Sequence, residues 1–311
     1  MSGIEFKKKD IECNFTYIYN DDLSLVIDVI RHYNKIVFRG FAVTRDGKFD
    51  FSRLFPNPDE LPFSGRSGGD SVKMDFDKNT IEGGFQGEAP ISFQLSFAVE
   101  DHRFSSTAAP DWVDKWAQKV PFLKDLILKE LPHGVADLTK AFSLLHEDFP
   151  LVKFGGDVKI GTKSYHLNES KGSIAHHWGW LFPDYVFLMC NDFPDPETLL
   201  TLSFVNATTR LGMGIRSGYL YLRHNGEETK LVSPLNGEVI YFREGGKLSV
   251  IARSEEDKFI RVNIDHNKGA VFPHIFNTDC ATVMNAECEV EGIGKSNRAV
   301  LDVKGLVSVI R

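Results

Sequence analysis

The feature that most constrains this chain is a series of short apolar–polar alternations closed by two-residue turns that contain glycine. "KIVFRGFAVT" (35–44) runs to Asp46-Gly47, "SGYLYLRH" to Asn225-Gly226 and "EVIYFRE" to Gly245-Gly246, while Asn236-Gly237 separates two further runs. Alternation with period two presents one apolar face. Asn-Gly, Asp-Gly or Gly-Gly between two such runs favours a tight hairpin. "SLVIDVI" (24–30), "SVKMDFD" (71–77), "ISFQLSFAVE" (91–100) and "KFIRVNID" (258–265) share the same β-branched and aromatic texture. Strands joined by hairpins predict an all-β fold of antiparallel barrels or sandwiches rather than a parallel α/β sheet. The glycine-rich stretches "GRSGGD" (65–70) and "GGFQGEAP" (83–90) match neither a phosphate-binding loop nor a dinucleotide fingerprint, and are expected to be hairpin loops.

One segment departs from this texture. From Pro110 to about Leu145, apolar residues Trp112, Trp116, Leu123, Leu126 and Ile127 recur every three to four residues, with breaks at Pro121 and Pro132. That spacing predicts two or three short helices. They read either as a cover over one end of a β structure or as an amphipathic lid touching a membrane through residues 110–131. The expected organisation is a β barrel or sandwich over 1–105, a helical connector or lid over 106–149, and a second β barrel over 150–311.

A chain of 311 residues with 42% hydrophobic content can bury one large core or two ordinary ones. Its formal charge of −7 and the lack of a basic stripe exclude a nucleic-acid partner. No apolar run reaches the ~20 residues needed to cross a bilayer, and the charged opening "MSGIEFKKKD" lacks a secretory core. A cytoplasmic location is expected. Cys13, Cys190, Cys280 and Cys288 lack metal-ligand spacing and read as free thiols, so no metal is expected. Cys280 and Cys288, eight apart, suit neighbouring strands. No serine sits in a G-x-S-x-G elbow, which excludes an α/β-hydrolase.

The densest chemistry lies in "KGSIAHHWGWLFPDYVFLMCNDF", residues 171–193. In a strand, His176 and His177 face opposite sides, so one of them points into any given cavity. A buried imidazole titrates near working pH and can protonate an alkene or carbonyl; equally, it can be a structural group bonded to a backbone carbonyl. Trp178 and Trp180 share a face and, with Phe182, Tyr185 and Phe187, provide π surfaces that stabilise a cation or simply fill a β core. Asn191 and Asp192 add an amide and a carboxyl beside this aromatic wall.

These residues resemble the signature segment of the tocopherol cyclase family, G-x-x-E-K-[ND]-W-G-x-x-F-P followed by an aromatic strand ending in Cys-Asn or Ser-Asn. The matching positions are Gly172, Trp178, Gly179, Phe182, Pro183, Cys190, Asn191 and Phe193. "LPHGVADL" resembles the family's His-Gly-Val step at His133, and "SGYLYLRHNGEETKL" its later hairpin. The resemblance implies two consecutive lipocalin-like barrels and cofactor-independent chemistry on a long apolar molecule such as an isoprenoid or polyene. In that chemistry a double bond is protonated and the cation is trapped by a hydroxyl or by water. Ala175-His176-His177 replaces the usual Glu-Lys-Asp/Asn, and Tyr185 and Phe187 replace later tryptophans. These departures imply a different acid and a different substrate.

Three functions follow. In the first, the chain is a cyclase, hydratase or isomerase of a hydrophobic small molecule held in a pocket between the two β domains. His176 or His177 is its acid/base, Asp192 or Tyr185 is the partner, and Trp178, Trp180, Phe182, Phe187, Asn191, His133 and Trp116 line the substrate. In the second, the chain is a carrier of lipids or pigments using the same cavity. In the third it is a structural β protein with a filled core.

Overall fold

The computed structural model describes residues 11–32, 35–56, 63–100, 104–108, 144–179, 184–208, 214–233, 235–254, 258–274 and 277–304. They form twenty-two strands and a single 3-10 turn, His266–Lys268. The strands are β1 (Ile11–Tyr19), β2 (Leu23–His32), β3 (Lys35–Thr44), β4 (Gly47–Asp50), β5 (Arg53–Phe55), β6 (Ser64–Ser67), β7 (Asp70–Asp75), β8 (Thr80–Phe85), β9 (Ile91–Val99), β10 (Phe104–Ala108) and β11 (Leu144–Ile160). They continue as β12 (Lys163–Gly179), β13 (Asp184–Cys190), β14 (Leu199–Thr208), β15 (Gly214–His224), β16 (Glu227–Ser233), β17 (Gly237–Glu244), β18 (Lys247–Ser254), β19 (Phe259–Asp265), β20 (Ala270–His274), β21 (Asn277–Val290) and β22 (Gly294–Lys304). Within the described residues the expected all-β, antiparallel class is what the chain adopts.

The chain divides into two units, one of residues 1–102 and 151–178, the other of 103–150 and 179–311. The first is a curled sheet in the order β4-β3-β2-β1-β12-β11-β9-β8-β7-β6, in which β5 pairs with β3 and reaches β6. Its closing strand β12 comes from the returning segment and inserts beside β1. The second is a sheet in the order β16-β15-β14-β13-β22-β21-β19-β18-β17, and its two end strands lie against each other. Both are near-closed, barrel-like sheets.

Alternation builds each interior. On β9, Ile91, Phe93, Leu95 and Phe97 are buried, whereas Ser92, Gln94 and Ser96 are exposed. Phe38 of β3 stacks on Phe85 of β8 with centroids 4.5 Å apart, and Phe51 packs against Phe38, Phe85 and Phe93. β3 and β8 are distant in sheet order, so their rings can meet only because the sheet curls, and the face carrying them is the inner one. The second unit's interior is aliphatic and includes Val186, Leu188, Leu202, Leu220, Val250 and Leu301. Each such side chain contributes about 1.5–3 kcal/mol relative to leaving it exposed.

Several expectations are revised. The "GRSGGD" stretch is a hairpin turning at Gly68 and Gly69, as expected. Gly83 and Gly84, however, sit inside strand β8: the ring of Phe93 lies over Gly83 where any side chain would go. Cys280 and Cys288 lie on one strand, β21, not on neighbouring ones. None of the four cysteines is in a disulfide. Of the expected helical connector, residues 109–143 lie outside the described set, while its flanks, Phe104–Ala108 and the start of β11, are paired strands. Among the described residues, no helix is long and apolar enough to cross a membrane.

Candidate active site

β1 reads "IECNFTYIY" and pairs with β2 without a register break. Glu12, Asn14, Thr16 and Ile18 therefore share one face, and Cys13, Phe15, Tyr17 and Tyr19 the other. Across the sheet Asn14 lies opposite Val29, which lies opposite Phe38. Thr16 lies opposite Ile27, which lies opposite Gly40. The ring of Phe38 thus identifies the Glu12–Asn14–Thr16 face as the inner one.

Three polar residues in a row on the inside of a β barrel are unusual, and the structure buries them almost completely. Glu12 is 4% exposed and Asn14 and Thr16 are fully buried. Glu12 Oε1 lies 2.8 Å from His176 Nε2. Among the described residues, Glu12 Oε2, both amide atoms of Asn14 and Thr16 Oγ1 have no hydrogen-bond partner. Leaving such a group unmet costs about 1–3 kcal/mol, and this row keeps hydrogen-bonding capacity that the described residues do not use.

His176 reaches this face from β12. Gly172 of the same strand lies against the backbone of Tyr17 and Ile18, so the two strands approach closely and Gly172, Ile174 and His176 fall on one side. The imidazole meets the ring of Phe63 edge-on at 6.1 Å. Phe63 continues to Phe76 at 6.0 Å, Phe76 to Phe97 at 5.8 Å, and Phe97 to Phe154 at 6.1 Å. A carboxyl–imidazole pair bordered by aromatic faces can give up and take back one proton beside apolar surface, which is the equipment of general acid–base chemistry on a hydrophobic molecule.

The opposite face of the same strands carries an ion pair. Asp28 and Arg39 face each other across β2 and β3 and are both buried. The guanidinium engages Asp28 through Nε and Nη2, and the Cys13 thiol donates to Asp28 Oδ1 at 2.9 Å. Every donor described here is met, so this cluster reads as structural.

The other expected residues have their own partners. Tyr185 lies on β13, facing away from the aliphatic core, and donates to Asp302 Oδ2 at 3.1 Å. Asp302 Oδ1 accepts from Thr282 at 2.9 Å and lies 3.2 Å from His274 Nε2. Phe187, buried, stands opposite Asp302. Asp192 is partly exposed and pairs with Arg298 at 3.4 Å. Asn191 is buried and donates to the carbonyl of Pro150 at 2.7 Å. Hence Tyr185 and Asp192 engage Asp302 and Arg298, while His176 engages Glu12, a residue that the sequence reading passed over. His177, the next residue, faces the other side of β12 and is partly buried. Trp116, His133, Trp180 and Phe182 lie outside the described residues, as does the side chain of Trp178.

Tyr219 donates to Asp148, and burial together with that carboxylate pushes its hydroxyl well above the usual phenol range. Tyr221 is raised by burial and by its bond to Glu228. Both phenols therefore stay protonated donors. Among the described residues no group of three or more His, Cys, Asp or Glu side chains is placed to hold a metal ion.

No family model matches this chain, and no curated protein matches it significantly in sequence. Among solved structures it is similar to a Nitrosomonas europaea protein provisionally called AttH, with a TM-score of 0.60 at 10% identity over 98% of this chain and 97% of that one. It is also similar to kievitone hydratase from Nectria haematococca, with a TM-score of 0.57 at 7% identity over 95% of this chain and 88% of that one. The shared feature is the fold: two lipocalin-like antiparallel β units in one polypeptide.

Proposed function

We propose that this chain is a hydratase- or cyclase-type enzyme that acts by proton transfer on a small molecule with a large apolar skeleton. The observation that carries the reading is the Glu12–His176 pair, its carboxyl buried and its imidazole partly so, beside the Phe63–Phe76–Phe97 rings. Protonation of a double bond leaves a cation, which aromatic faces stabilise. Water or an internal hydroxyl then adds to that carbon and returns its proton to the conjugate base, so the pair ends as it began. Kievitone hydratase shows that a protein of this fold can be a hydratase. The tocopherol cyclase resemblance favours an isoprenoid or polyene portion in the substrate.

Native mass spectrometry of the purified protein, with extracted ligands identified, names the chemical class. The recovered compound is then incubated in ¹⁸O-water with wild type, His176→Ala and Glu12→Gln. The enzyme reading expects wild type to add labelled water or to give an isomer with a shifted retention time, and expects both variants to bind the compound unchanged. Recovery of unaltered compound from wild type would identify a carrier instead.

A further inference from the structure

Acid–base chemistry needs one proton-active pair, and Glu12 with His176 supplies it. Asn14 and Thr16 are left over. Both are buried on the inner face directly after Glu12, and their side-chain polar atoms have no partner among the described residues. A bare hydrocarbon would leave the amide and the hydroxyl as unmet as before, so it gains nothing from them. A molecule with hydroxyl or carbonyl oxygens gains a donor and an acceptor from Asn14 and either from Thr16. Same-face positions on a strand repeat at about 6.6–6.8 Å, so Glu12 to Thr16 spans roughly 13 Å. The neighbouring inner-face positions on β12 are occupied by Gly172 and Ile174, which offer no side-chain hydrogen bond.

We infer that Asn14 and Thr16 form a recognition edge for an elongated, oxygen-substituted aromatic or polyene, with the reacting carbon held at Glu12 and His176. This rests on the acid–base reading for the placement of the reacting carbon, but the selectivity for oxygens stands on Asn14 and Thr16 alone. Recognition of this kind discriminates strongly, because a site built around buried polar groups penalises a ligand that leaves them unpaired.

The test is equilibrium binding of two probes with one skeleton, trans-4,4′-dihydroxystilbene and trans-stilbene, followed by fluorescence. Wild type is expected to prefer the dihydroxy compound at least tenfold. Thr16→Val, which keeps the shape, and Asn14→Leu are each expected to cut that preference about fivefold or more without weakening stilbene binding. Thermal melts serve as the fold check, and removing the unmet groups should raise the ligand-free melting temperature of both variants. His176→Ala is expected to keep the preference. Equal affinity of wild type for the two probes, binding of neither, or an unchanged preference in both edge variants would overturn the inference. A wild-type protein that keeps the preference but alters no guest would instead sink the enzyme reading and leave the recognition edge standing.

Discussion

Glu12 and His176 are 164 residues apart in the chain, yet their side chains meet at 2.8 Å. Glu12 is buried, while His176 is partly buried and more open. Glu12→Gln keeps the shape and removes the base, and His176→Ala removes the imidazole. Each is expected to lower turnover by roughly 10²–10⁴-fold, the range of a lost acid–base group. A double-mutant cycle in urea should give a coupling of about 0.5–3 kcal/mol. Coupling indistinguishable from zero would mean that the two side chains do not act together.

The Asp28–Arg39 pair behaves differently, because it has a structural rather than a chemical role. Arg39→Met takes the guanidinium away from a buried carboxylate and is expected to cost about 3–5 kcal/mol. Adding Asp28→Leu to Arg39→Met should recover a large part of that loss, since no charge then remains buried. The denaturant midpoints of the single and double variants check this directly.

Gly172 marks a close approach of β12 to β1. A methyl group there would run into the carbonyl oxygen of Tyr17 and lie 2.7 Å from the ring of Phe154. Backbone cannot yield as a side-chain tip can, so Gly172→Ala is expected to cost at least the 1–3 kcal/mol typical of overpacking. Because His176 lies four residues along the same strand, the variant should also lower turnover. Unchanged stability by urea titration would show that β12 and β1 are more loosely joined.

His266 offers a pH test. It is 2% exposed, both ring nitrogens lack a partner among the described residues, and burial holds its pKa below the ordinary 6.5. Well above pH 6.5 the ring is neutral in the folded and unfolded chain alike, and contributes no pH dependence. As the pH falls below 6.5 the unfolded chain takes up a proton that the folded one resists. Stability therefore drops through that window and levels off below the folded pKa. His266→Phe should remove this component, so the difference in melting temperature between variant and wild type should widen from pH 7 to pH 5. A constant difference would show that His266 does not titrate differently on unfolding.

The hairpins were the legible part of the sequence. Asn225-Gly226 and Gly245-Gly246 adopt positive φ at both residues, as the tight turns between right-twisted strands require, and the strands around them follow. β12 was hidden because "KSYHLNESKGSIAHHWG" keeps no steady alternation, and Glu169, with φ at 50°, interrupts whatever there is. Its pairing with β1 is a contact between distant segments, which no local pattern encodes. Glu12 escaped for a related reason. "IECNFTYIY" alternates polar and apolar residues, so the polar set reads as a solvent face, and only the curl of the whole sheet turns that set inward. Conversely, Tyr185 and Asp192 were visible as residue types, but their partners Asp302 and Arg298 lie more than a hundred positions away.

The late return of residues 151–178 to the first unit has a consequence for biosynthesis. Until that segment leaves the ribosome, the flanks of β1 and β9 that will hold β12 and β11 are bare, and bare strand flanks recruit other chains. A nascent polypeptide halted before residue 151 therefore has no finished product to wait in, and should depend on chaperones until elongation resumes.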